Sequence, residues 1–119
     1  MAANIHLDIS QIEVLNGKIL VALYNSKEDY ERSAAPFKEA EIIANAETVS
    51  TQFTDLAAGE YVIQLYHDEN DNGELDSNFI GLPTEGYGFS NNGGKFGPPS
   101  YEEAKFSVVD DTQVSIKLR

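Results

Sequence analysis

Along most of this chain, apolar residues alternate with polar ones, which is the pattern of β-strands that bury one face. The alternation predicts about seven strands, over residues 5–9, 18–24, 41–44, 48–53, 61–67, 104–109 and 113–118. The even spacing of these short strands favours an all-β fold, an antiparallel β-sandwich, over a barrel.

Local turn signals complete this outline. The pair Asn16-Gly17 predicts a tight turn that joins the first two strands into a hairpin. Residues 27–32 predict a single helical turn, and residues 55–60 a turn in which Gly59 supplies a positive φ. Within one strand, the alternation places on the same face the side chains of Val49, Thr51 and Phe53.

Length and composition narrow the classes of protein. The 119 residues predict a single domain, residues 1–119, because one core usually takes about 100 to 150 residues. A hydrophobic share of 41% supplies that core. The 20 acidic residues outnumber the 8 basic ones, and the net charge of -12 repels phosphate backbones. Nucleic acid is therefore not expected as a partner.

Three further features bear on chemistry and location. The chain has no cysteine, which excludes disulfides, zinc ribbons and a thiol nucleophile. It has no run of about 18 apolar residues, so no transmembrane segment is expected. Its first residues lack the basic and apolar regions of a signal peptide. Such a start suits a cytosolic protein, and it equally suits a mature secreted domain behind an added Met1.

The character of the chain changes between residues 68 and 100. This stretch holds seven of the nine glycines and three of the four prolines and has little periodic pattern. Loops of this length usually carry function or are disordered. Its content of large apolar residues argues against disorder. We therefore expect a packed loop with a function.

The loop opens with a motif for a divalent cation. Five carboxylates lie within residues 68–76. Gly73 stands at position 6, where a calcium loop turns sharply. The ligands of such a loop lie at positions 1, 3, 5, 7 and 9, and here these are Asp68, Asn70, Asn72, Glu74 through its carbonyl, and Asp76. Calcium takes six to eight oxygen ligands, which this set approaches, whereas magnesium and transition metals suit it less well.

The motif departs from an EF-hand in two ways. Position 12 holds Phe79 where a bidentate glutamate is expected, and a strand precedes the loop in place of a helix. The missing ligand is then expected from Glu85, with Asp29 and Glu102 as weaker alternatives. The alternative without a metal is a hairpin turn at residues 72–73 with solvated acidic flanks.

Aromatic residues of the loop offer a second hypothesis. Tyr87, Phe89 and Phe96 could form a surface for a sugar or another small molecule, with the acidic loop as its scaffold. The structural alternative is that these rings, together with Tyr101, form a small separate core that holds the loop. A protein partner also remains open. The tip at residues 91–95 is expected to be flexible.

Catalysis is the least favoured hypothesis, and we expect a non-enzymatic domain. His6 and His67 are the only histidines. A small hydrolase would use His67 with a carboxylate, but a histidine at a strand end is more often structural. Ser90 lies in an incomplete nucleophile-elbow pattern without the required strand, turn and helix.

Several motifs together resemble a bacterial family, the domain of unknown function numbered 2141. The matching segments are residues 17–19, 53–61, 67–76, 81–91 and 97–101, which span nearly the whole chain. The resemblance implies a small exported β-sandwich, periplasmic or secreted, with no established activity. The strand entry at residues 55–61 is also similar to transthyretin-like and collagen-adhesin B-type modules, some of which hold calcium. This likeness implies an immunoglobulin-like or transthyretin-like sandwich.

Overall fold

A computed structural model describes residues 3–32, 34–68, 86–93 and 99–118. The described strands are β1 (Ala3–Ser10), β2 (Lys18–Tyr24), β3 (Lys38–Ile43), β4 (Val49–Leu56), β5 (Gly59–Asp68), β6 (Tyr87–Phe89), β7 (Phe106–Val108) and β8 (Thr112–Lys117). Two short helices, α1 (Lys27–Glu31) and α2 (Tyr101–Ala104), and a 3-10 turn (Ser90–Asn92) accompany them.

The strands form two sheets. One has the order β4-β1-β8, and the other has the order β3-β2-β5-β6, with β7 paired to the start of β5. The expected all-β sandwich is confirmed, with eight described strands where about seven were predicted. The additional strand, β6, has only three residues and contains a glycine, so it carries no readable alternation. The pairing of β1 with β8 is parallel, whereas the other pairings are antiparallel.

The predicted hairpin of the first two strands is wrong. β1 pairs with β4 and β8, and β2 pairs with β3 and β5, so the two strands lie in different sheets. Both strands carry a row of buried aliphatic side chains, and opposite sheets let those rows face each other across one core. Gly17 does adopt a positive φ of 68°. Its turn therefore belongs to a connection between the sheets.

The turn before β5 also differs from the prediction. The positive φ belongs to Asp55, at 58°, and not to Gly59. The register of β1 and β4 shifts between Ala3 and Ile5, opposite this position. The Asp55 N–H donates to the Asn4 side-chain oxygen at 3.3 Å. A bulge in β4, stabilised by Asn4, therefore replaces the expected left-handed glycine.

The main core lies between the sheets and follows the predicted alternation. Every second residue of β1, from Ala3 to Ile9, is buried. In β4, Val49 and Phe53 are buried and Thr51 is half-buried, as predicted. Burying one aliphatic side chain of this size contributes about 1.5–3 kcal/mol to stability.

A second core covers the outer face of the five-stranded sheet. It is formed by Tyr24, Tyr30, Val62, Phe89, Tyr101 and Ala104. The helices α1 and α2 supply part of it, and each begins with a serine cap. Ser26 accepts from the Asp29 N–H at 3.2 Å, and Ser100 accepts from the Glu103 N–H at 3.2 Å. The expected helical turn at 27–32 is thus present, whereas Ala104 ends α2 and does not start a strand.

Candidate functional site

Asp68, the first residue of the acidic motif, is the last residue of β5 and has no exposed surface. Across the sheet it lies opposite Lys18, the first residue of β2. Lys18 in turn pairs with the Glu41 carboxylate of β3 at 3.7 Å. A carboxylate withdrawn from water in this way requires hydrogen bonds or a cation to offset its lost hydration.

The chain returns to the sheet beside the point where it leaves. The His67 N–H donates to the Gly86 carbonyl at 2.7 Å, and β6 then pairs with β5 over residues 64–66. Gly86 is thus the hydrogen-bonding partner of His67, and Asp68 is the next residue after His67 in β5. The two described residues that flank segment 69–85, Asp68 and Gly86, therefore lie at the same edge of the sheet.

His67 is part of the framework at this edge. Its side chain is buried, and its Nε2 lies 2.6 Å from the Asn16 carbonyl oxygen. A carbonyl can only accept, so Nε2 carries the proton. The contact ties the end of β5 to the connection between the two sheets. This agrees with the structural interpretation of His67.

Most of the expected cation ligands lie outside the described residues, namely Asn70, Asn72, Glu74, Asp76 and Glu85. Over the described part of the chain, no group of three or more His, Asp or Glu side chains could hold a metal ion. The weaker alternative Glu102 is engaged elsewhere. It contacts Lys105 at 3.0 Å and Lys27 at 3.8 Å, and the hydrogen bond from Lys105 lowers the pKa of the Glu102 carboxyl. Asp29 lies in α1.

The loop aromatics pack inward where they are described. Phe89 and Tyr101 are buried in the second core, and Tyr87 is half-buried against it. The Tyr87 and Phe89 rings meet edge to face, with centroids 6.3 Å apart. Phe96 lies outside the described residues. The structural alternative therefore holds for Phe89 and Tyr101, and the hypothetical ligand-binding surface loses Phe89.

Ser90 has a role that the sequence did not suggest. It is fully buried, and its Oγ accepts from the Ile63 N–H at 3.1 Å and donates to the Ala104 carbonyl at 2.5 Å. One hydroxyl thus satisfies two backbone groups of β5 and α2. A buried serine that bridges a strand and a helix cannot be recognised from sequence, because its partners lie 27 and 14 residues away.

The expectation of a flexible tip at 91–95 is wrong for its first two residues. The Asn91 Nδ2 donates to the carbonyls of Glu103 at 3.0 Å and Lys105 at 2.9 Å. The Asn92 Oδ1 accepts from the Lys117 N–H at 2.9 Å. Both asparagines have positive φ, 60° and 52°, which asparagine tolerates better than most residues. The Asn-Asn-Gly run was the available signal for this turn.

Tyrosine ionisation is opposed in the second core. The Tyr30 hydroxyl donates to the Pro99 carbonyl at 2.7 Å. Burial raises the pKa of Tyr30 to about 12, with smaller contributions from the charges of Glu103 and Glu31. Burial also raises the pKa of Tyr24, Tyr61 and Tyr101. The folded protein therefore holds these phenols neutral.

We expect stability to fall between about pH 10 and pH 12. Below pH 10 Tyr30 is neutral in both states; above it the unfolded chain ionises first, because only the folded pKa is raised. A shift of two pKa units at Tyr30 corresponds to a decrease of about 2–3 kcal/mol in the free energy of unfolding. Urea unfolding at a series of pH values measures it, and Tyr30→Phe should show a shallower decline. Equal declines in both proteins would contradict the assignment to Tyr30.

No helix in the described part of the chain has the length and apolarity needed to cross a membrane.

Comparison with known proteins gives one match. A family model described as "Uncharacterized protein conserved in bacteria (DUF2141)" matches residues 7–117. No curated protein and no solved structure matches the chain.

Proposed function

Because this chain belongs to the uncharacterised bacterial family DUF2141, we propose its function from its own residues: it is an exported β-sandwich domain that binds calcium at the start of segment 68–76. The proposed ligands are Asp68, Asn70, Asn72, the Glu74 carbonyl and Asp76, with Glu85 completing the set. Its action would be binding and not catalysis.

The observation that carries the proposal is the burial of Asp68 at the origin of the acidic segment. A buried carboxylate is costly unless a positive charge or hydrogen bonds compensate it. Among the described residues every buried polar side-chain atom has a hydrogen-bond partner, and a divalent cation shared with Asn70 and Asn72 would add to that compensation at Asp68. It would also offset the mutual repulsion of five carboxylates in residues 68–76.

The position of Gly86 supports Glu85 as the completing ligand. Gly86 is hydrogen bonded to His67, the neighbour of Asp68. Glu85 precedes Gly86 in the chain, so it is one residue in sequence from a described neighbour of His67. A bound ion would then cross-link the two ends of segment 69–85.

The hypothesis of an aromatic ligand-binding surface receives less support, because Phe89 is buried and Tyr87 is half-buried. The hydrolase hypothesis is also weaker, because His67 and Ser90 both use their polar atoms in buried backbone contacts. Among the described residues, the His67 Nε2 and the Ser90 hydroxyl are thus both engaged in structural contacts.

Thermal unfolding in calcium and in chelator tests the proposal. Extracellular calcium modules bind with Kd of about 10⁻⁴ to 10⁻³ M, so about 10 mM calcium should stabilise the fold by about 1.4–2.7 kcal/mol. The midpoint should rise by roughly 5–10 °C. The same concentration of magnesium should have a smaller effect. Equal midpoints in calcium and chelator, without heat of binding in calorimetry, would reject the proposal.

Matched variants locate the ion. Asp68→Asn should abolish the calcium-dependent shift, and so should Asn72→Ala, which changes no residue of the described core. Asp110→Asn is the control, because Asp110 is an exposed carboxylate in the turn between β7 and β8. It should keep the full shift. Loss of the shift in Asp110→Asn as well would indicate an effect of overall charge and not of a site.

A further inference from the structure

The edge of the three-stranded sheet at β8 offers hydrogen-bonding groups to a partner. Among the described strands, β8 pairs with β1 and with no strand on its other side. The Leu118 N–H donates to Ser10 of β1, whereas the Lys117 N–H points the other way, to Asn92. Backbone groups alternate along a strand. The N–H and C=O groups of Gln113 and Ser115 therefore point away from β1, on the same side as the Lys117 N–H.

A groove runs along this edge. It has a volume of about 400 Å³ and lies between β8 and the 3-10 turn. The half-buried side chains of Phe106 and Val114 provide its apolar wall, and Asn91 and Asn92 its polar end. The Asn92 side chain already accepts from the outward N–H of Lys117. The backbone groups of the edge that remain for a partner are therefore those of Gln113 and Ser115. This combination of open backbone and apolar wall suits an extended peptide.

The other edge of the same sheet, β4, is less suitable. The Lys38 Nζ donates to the outward Thr54 carbonyl at 2.8 Å. The left-handed Asp55 and the register shift beside it interrupt the regular strand. Lysines and bulges of this kind discourage strand addition. Over the described residues, β8 is thus the more open edge of the three-stranded sheet.

The charges near the groove indicate the chemistry of the partner. Asp110 and Asp111 are exposed at the turn before β8. Asp8 lies opposite Ser115 in the register of β1 and β8, and its Oδ2 accepts from the Gln113 Nε2 at 2.8 Å. The only cationic residue of β8 is Lys117, at the opposite end. Together with the net charge of -12, this arrangement disfavours a second copy of the chain and favours a basic peptide.

We propose that β8 is a docking edge for an extended, basic peptide segment of another protein. The segment adds as a fourth strand beside β8, exchanging backbone hydrogen bonds with Gln113 and Ser115. An apolar side chain of the segment contacts Phe106 and Val114. Antiparallel addition is the more stable arrangement, and it places the basic residues in the C-terminal half of the segment, beside Asp110 and Asp111.

Amide hydrogen exchange with two synthetic probes tests this. The first is a blocked octapeptide that alternates threonine and valine and ends in two lysines, and the second ends in two glutamates. In the free protein the Gln113 and Ser115 amides should exchange quickly, and those of Val114 and Ile116 slowly. The lysine peptide should slow exchange at Gln113 and Ser115 by about tenfold or more, and the glutamate peptide should not.

Two proline variants make the test specific. Ser115→Pro removes one outward N–H, a change that edge strands accept, and should weaken binding of the lysine peptide by about tenfold. Gln52→Pro makes the same change at an outward position of β4 and should leave binding intact. Circular dichroism checks that both variants fold, and the exchange measurement on the unmodified protein stands without them.

Five outcomes would overturn the proposal. The Gln113 and Ser115 amides could be protected already in the dilute free protein, or their protection could rise with protein concentration alone, which would indicate a second copy. Both peptides could bind equally or not at all. Ser115→Pro and Gln52→Pro could weaken binding to the same extent, which would remove the assignment to β8.

Discussion

Gly88→Ala is expected to lower the free energy of unfolding by about 2–3 kcal/mol. A Cβ at this position would stand 2.6 Å from the Ile116 Cγ2 and 3.3 Å from the Leu65 Cδ1. The first distance is far below van der Waals contact, and Ile116 is fully buried between its neighbours. β6 would therefore be displaced from β8. Chemical denaturation of the variant and the parent protein measures the loss.

A control and a double mutant separate this contact from general effects of glycine. Gly59→Ala should change stability little, because a Cβ there meets nothing within 4 Å and Gly59 has no positive φ. Ile116→Leu removes the Cγ2 methyl group and should offset part of the loss caused by Gly88→Ala. Additive effects of the two substitutions would contradict a direct clash between them.

The Gly88 contact also bears on the proposed calcium site. Gly88 belongs to β6, which continues from Gly86 and holds it beside His67. Displacing β6 would separate Gly86 from the end of β5. We therefore expect Gly88→Ala to reduce the calcium-dependent shift in melting temperature in addition to lowering stability in chelator. A full shift in this variant would show that calcium binding does not need the contact between Gly86 and His67.

Ser90→Ala is expected to lower the free energy of unfolding by about 2–4 kcal/mol. The substitution leaves the Ile63 N–H and the Ala104 carbonyl without the Ser90 hydroxyl at a fully buried position. Each buried polar group that loses its partner costs about 1–3 kcal/mol, whereas the methyl group itself fits the space. Equilibrium unfolding by urea gives the difference.

Ser107→Ala serves as the matched control for Ser90. Ser107 is exposed in β7, and its replacement should stay within about 0.5 kcal/mol of the parent protein. Ser90→Ala should also increase amide exchange at Ile63, because the amide of that residue loses its acceptor. A stability near that of the parent, with Ile63 still protected, would contradict the bridging role of the Ser90 hydroxyl.

The secondary structure was predictable because strand alternation is a local pattern. The burial of Ala3, Ile5, Leu7 and Ile9 in β1 follows directly from their spacing. β6 escaped prediction because three residues cannot display a period, and its backbone is extended only where it pairs with β5. The predicted hairpin of β1 and β2 was wrong because pairing between strands is not a local property. Asn16-Gly17 indicates a turn, but the choice of pairing partner depends on strands far away in the sequence.

Some features of the candidate site could also be predicted from the sequence, and others could not. The positions of Asp68, Asn70 and Asn72 around Gly73 are evident from sequence, because ligand spacing within a loop is local. Other facts about the site depend on residues distant in the chain. Among these are the burial of Asp68, the contact of His67 with Gly86, and the bridges made by Ser90 and Asn91.

The all-β class, the buried positions along the longer strands, the acidity and the make-up of the acidic loop can thus all be predicted from the residue pattern. These properties depend on neighbouring residues and on the period of two along a strand. Only the folded structure shows that β1 and β2 lie in different sheets, that Asp68 and Gly86 lie at one sheet edge, and that β8 has no second partner among the described strands. Hydrogen bonds and burial between distant residues decide such features, and no short segment of the chain encodes them.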